Sequence, residues 1–175
     1  AANSTCLLNG TVPQTITVNG TLSVTTGVGI TQTIDINNAG NGVTLGSNVT
    51  FAGNGTLKIT NGKIATGANT LTIPSTASLT GAGAATGWVN GNLKRTIVPV
   101  ASVGTLTYDI GDASSYTPVA LVVNGLPSNM DLTANTTAIE HPQIASSFIN
   151  PAKSVNRYYT LTASGSPTFS NYNAT

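Results

Sequence analysis

Asp109 and Asp112 bracket Gly111 in the stretch YDIGDASSY. Two carboxylates so placed could join backbone carbonyls around a calcium ion, which wants about six to eight oxygens. The same two side chains could instead bond the backbone a residue or two further on, as turn-forming aspartates do. Glu140 and His141 are the other acid–base pair. They adjoin in sequence, and neighbours on a strand point to opposite faces, so they read as loop-edge residues. Trp88, Tyr108, Tyr116, Tyr158, Tyr159 and Tyr172 could build an aromatic platform for carbohydrate, or fill a core and seal its end. Arg157 lies in an otherwise uncharged strand, SVNRYYTLT, and a buried cation there needs Asp109, Asp112 or Glu140 as its partner.

Set against enzyme chemistry, this inventory is thin. One His rules out a His-rich metal site, and no His-Glu-x-x-His, Cys-x-x-Cys or phosphate-loop pattern occurs. Sugar cleavage needs paired carboxylates in a cleft, yet residues 1–90 hold a single acid, Asp35. The reading is therefore a non-enzyme with no catalytic, cofactor or metal residues. Six Lys and Arg in 175 residues, with Lys94–Arg95 the one basic cluster, also argue against nucleic acid, whose binding needs many phosphate contacts. No apolar run reaches the ~18 residues of a membrane span. The lone Cys6 cannot close an internal disulfide; it is an unpaired residue in a packed strand, or an intermolecular bridge.

The elements that would carry these residues are strands. Residues 15–87 repeat period-2 patches such as TITV, TLSV, TIDI, GVTL, NVTF, TLKI, TLTI and ASLT, each bounded by Gly or Asn. Strands so short suit a chain coiled into stacked rungs, where each inward Ile, Val, Leu or Phe lies over its counterpart one rung away. A hairpin-built β domain is the alternative. The triplet Asn-Gly-Thr at Asn9–Thr11, Asn19–Thr21 and Asn54–Thr56 reads as a corner, and Asn side chains could stack in ladders along the coil. From Leu106 the strands lengthen to the spacing of a sandwich, and PQIASSFINPAKS reads as a long loop with a short helical turn. The expected fold is all-β: an irregular parallel β-helix or solenoid-like part followed by an antiparallel β-sandwich. Its expected divisions are an N-terminal segment 1–14 that could donate a strand, a solenoid-like domain 15–95, and a sandwich 96–175 that is short of strands.

The phrases NGKIATGANTLTI, GWVNGNLKRTI, YDIGDASSYTPVALVV, IEHPQIASSFINPAKSVNRYYTLT and TFSNYNAT, in this order over residues 57–175, resemble the large secreted surface proteins of Bacteroidota-type bacteria. The resemblance implies export, display at the cell surface and an adhesin-like or matrix role. Together with the low charge, it gives the expectation of a structural subunit of an extracellular filament or surface layer, self-associating by strand addition. A monomeric adhesin that binds glycans or a host surface is the alternative.

Overall fold

The computed structural model describes residues 3–24, 32–40, 42–99, 106–165 and 167–175. Part of the alternating stretch GVGITQ lies outside them. Among the described residues the chain is all-β. Its strands are β1 (Ser4–Asn9), β2 (Gln14–Ile16), β3 (Thr21–Val24), β4 (Gln32–Asn37), β5 (Val43–Leu45), β6 (Val49–Gly53), β7 (Thr56–Asn61) and β8 (Ile64–Ile73). They continue with β9 (Ser78–Thr80), β10 (Val89–Ile97), β11 (Leu106–Tyr108), β12 (Ile110–Gly111), β13 (Val119–Asn124), β14 (Met130–Thr137), β15 (Tyr158–Ala163) and β16 (Asn171–Ala174). These strands form three open sheets, and no closed solenoid is traced by them.

As far as β10, every strand pairing is parallel. One sheet runs β1-β4-β7-β9, and a second joins β2, β5, β8 and β10, with β3 and β6 alongside. The chain thus returns to lie beside itself: Ile34 pairs with Leu57, and Leu57 with Leu79. Alternation then stacks like upon like. Val43, Ile64, Val89 and Ile110 form one ladder, each at most 1% exposed. Val49, Leu71 and Leu93 form another. Burying each such side chain contributes about 1.5–3 kcal/mol before entropy is counted. On the outward side, Asp35 pairs in register with Lys58, and their side chains meet at 3.3 Å.

Two polar corners hold the returns together. At the first, Gly62 donates its N–H to the carbonyl of Thr86. A Cβ on Gly62 would fall against the carbonyl oxygen of Asn38, and one on Gly87 against that of Gly62, both at positive φ, so only glycine stacks here. At the second corner, Asn135 Nδ2 donates to Asn92 Oδ1 at 2.6 Å, Asn92 Nδ2 to the Asn69 carbonyl at 3.0 Å, and Asn69 Nδ2 to the Leu45 carbonyl at 2.8 Å. The Asn ladder therefore exists, but two of its three steps end on main chain. Of the Asn-Gly-Thr triplets, only Gly20 takes a positive φ, while strands restart at Thr21 and Thr56.

β10 joins the parallel and antiparallel regions. It pairs parallel with β8 on one side and antiparallel with β14 on the other, where Leu93 faces Ala134 and Ile97 faces Met130. The division expected at residue 95 thus falls inside a strand that pairs with both regions. Beyond it, β14 pairs antiparallel with β15, and a third sheet runs β11-β13-β16. The stretch TLTYDIG, which reads as one strand, divides at Asp109: β11 joins the third sheet, and β12 pairs with β10. Between β14 and β15 the chain makes two 3-10 turns, Ile144–Ser146 and Pro151–Lys153. No helix among the described residues is long and apolar enough to cross a membrane.

Candidate interaction surfaces

The residues with chemical potential gather where β10, β12 and β14 meet. Asp112 Oδ1 accepts from the N–H groups of Ser114 and Ser115 at 2.6 and 2.8 Å, which is the turn-forming arrangement. Its Oδ2 pairs with the guanidinium of Arg157, which also donates to the Thr136 hydroxyl at 3.0 Å. The bond from Arg157, first, and those from the two serine amides hold the Asp112 carboxyl below its ordinary range. The isolated Arg157 of the sequence thus has its structural partner. Asp109 does not join Asp112; its Oδ1 accepts from the Tyr116 hydroxyl at 2.7 Å. Burial, followed by that carboxylate, pushes the Tyr116 phenol up. With both aspartates engaged in this way, the pair does not present a calcium loop, and no group of three metal-ligating side chains exists among the described residues.

Trp88 closes this junction from below. It is 5% exposed, its Nε1–H donates to the Asp112 carbonyl at 2.8 Å, and Lys63 Nζ lies 4.5 Å over its ring. Lys63 also donates to the carbonyl of Ala113, so its charge is already engaged. Arg95 points toward β11 and donates to the Thr107 carbonyl at 3.0 Å, with burial lowering its pKa. Tyr108 is fully buried, and its hydroxyl donates to the carbonyl of Leu132. An aromatic platform is not assembled: Trp88 meets only Tyr116, Tyr158 meets His141, and Tyr172 meets Phe169. Glu140 and His141 serve their loop, Glu140 accepting from the Ser154 hydroxyl and His141 Nδ1 from the Gln143 amide.

Among the cavities of the described residues, two bear on function. One of about 370 Å³ lies beside the glycine corner, lined by Gly40, Gly42, Asn61, Lys63 and Thr86 among others. The second, about 190 Å³, lies between the second and third sheets. Leu121 and Val123 of β13 face Met130 and Leu132 of β14 across it, with Leu161 and Ala163 of β15 and Tyr172 of β16 at its rim. Among the described residues both rim strands end their sheets, so each has one edge without a strand partner there. At the opposite extreme, β1 and β2 likewise end theirs. Sequence reading foresaw the Arg157 pair and, at Asp112 but not at Asp109, the turn bonds. It did not find the groove, because sheet order, not alternation, creates it. Comparisons of the chain with protein-family models, curated proteins and solved structures find no match.

Proposed function

We propose that this chain is a structural subunit of an extracellular filament or surface layer, assembled by β-strand addition between subunits. The observation that carries this reading is that, among the described residues, three uncharged strands end their sheets: STCLLN in β1, YYTLTA in β15 and NYNA in β16. Soluble proteins usually blunt such edges with Lys, Pro or a bulge, because an unpaired edge is a template for another chain. The finer fold belongs to the same proposal. Parallel pairings some 21 to 29 residues apart suit an irregular parallel β-helix, and the facing antiparallel sheets suit a sandwich behind it. A subunit that stacks aliphatic ladders internally and offers main-chain bonds externally needs no reaction.

Electron microscopy of the purified protein tests the reading. Helical or sheet-like polymers are expected, and removing residues 1 to 14, which hold β1, abolishes them. Dispersed monomers at high protein concentration would defeat the proposal. The cavity beside the glycine corner supports a second reading, a monomeric adhesin that binds glycans, because about 370 Å³ falls within the ~300–1,000 Å³ of small-molecule sites. A monomer that binds polysaccharide, and loses that binding in Asn61→Ala, is the result that favours it.

A further inference from the structure

The groove between β15 and β16 specifies the shape of its occupant. At about 190 Å³ it is smaller than the ~300–1,000 Å³ of small-molecule sites, yet its floor is aliphatic and its rims are open strand edges. No carboxylate, ammonium or guanidinium lines it. A sugar would find no polar floor there, and an ion no ligands. An extended peptide satisfies both demands, giving main-chain bonds to an edge and one apolar side chain to the floor.

This chain carries a matching strand. β1 is uncharged, and among the described residues its outer edge has no strand partner. Cys6 and Leu8 lie in register with the inward Ile34 and Ile36, so Leu7 faces the other way, 47% exposed. Groove and strand match in charge, since neither carries an acid or base that docking would leave unpaired in an apolar site.

We propose that β1 of one copy, still paired with its own β4, seats along the free edge of β15 in a second copy, with Leu7 entering the groove beside Leu161. This rests on the filament reading and assigns its acceptor. Because β1 and β15 are different surfaces, the contact is heterologous and propagates where an isologous one would close. Side-chain parity adds a consequence. Leu161 and Ala163 face the groove, so Thr160 and Thr162 face away, and Cys6 must share their side of the new sheet.

Cys6 is the only cysteine and is exposed, so it can report this register. Thr160→Cys and Thr162→Cys are made separately in the full chain and oxidised with diamide, which accepts the two hydrogens released as each S–S bond forms. Non-reducing gels are expected to show disulfide-linked ladders from at least one of them, lost when Cys6→Ser is added. Leu7→Asp, at an exposed position, is expected to raise the critical concentration for polymerisation at least tenfold with an unchanged circular dichroism spectrum. Ladders from Leu161→Cys alone would put Cys6 in the groove and overturn the proposal. Filaments that form without a ladder from either threonine variant would overturn it too, while leaving the proposed function standing. Absence of any polymer in the unmodified protein overturns both.

Discussion

The parallel and antiparallel regions spend the same kinds of side chain differently. In the parallel region most inward residues lie over another apolar one, and Ile36, Ile59, Ile64 and Ile73 are all at most 1% exposed. In the antiparallel region, burial stops short of the last strands: Tyr159 is 42% exposed, Tyr172 60%, and Phe169 41%. One region lays strand beside parallel strand, so a residue's fate follows from its stack. The other leaves strands at its margin whose apolar faces are half covered. The deepest burial and the exposed aromatic side chains thus reside in different parts of one chain, with β1, where Leu7 is 47% exposed, the open margin of the parallel part.

Truncation of side chains should break this contrast most sharply. Phe51→Ala, in the parallel core, is expected to cost about 3–5 kcal/mol in urea unfolding. Leu161→Ala at the groove should cost far less, and equal losses would erase the distinction. Gly87→Ala, which forces a side chain onto the Gly62 carbonyl at positive φ, should cost about 1–3 kcal/mol by the same measurement. Arg157→Ala is expected to cost a similar amount, about 1.5–3 kcal/mol, as it removes a charged hydrogen bond at the junction. Its pH signature separates it from a packing loss. A carboxyl held low stabilises the fold above its unfolded value, about 3.9, and that stability goes as pH falls through the folded value. The unmodified protein should therefore lose stability more steeply below about pH 4 than Arg157→Ala does. Smallest of all is Lys58→Ala: its side chain is 47% exposed, and thermal melts should register less than about 1 kcal/mol.

Local structure was legible in the sequence, and long-range partnership was not. GVTL, NVTF, TLKI and ASLT coincide with β5, β6, β7 and β9, because alternation and Gly or Asn punctuation act over a few residues. The lone Arg157 announced its need for an acid, since desolvating an unpaired charge is costly in any fold. TLTI reads as a short patch of its own, yet it is the end of the ten-residue strand β8, which passes through Gly67 at a positive φ that the sequence does not declare. Residue 95, where the division was expected, lies within β10, because a change of composition says nothing of how far a hydrogen-bonded strand runs. Nothing local to Leu93 says that its antiparallel neighbour is Ala134. The groove was hidden for the same reason, being a property of which strands end each sheet.

The sharing of β10 has a consequence for biosynthesis. A chain emerging in order completes β8 and lays β10 against it early, but the partner for the other side, Ala134 opposite Leu93, arrives about forty residues later. Until then the nascent polypeptide carries a bare ribbon ending in Leu93 and Ile97, both of which are buried once β14 has docked. Translation pauses within those forty residues would prolong the interval in which a chaperone, or a neighbouring ribosome's product, can reach that ribbon first.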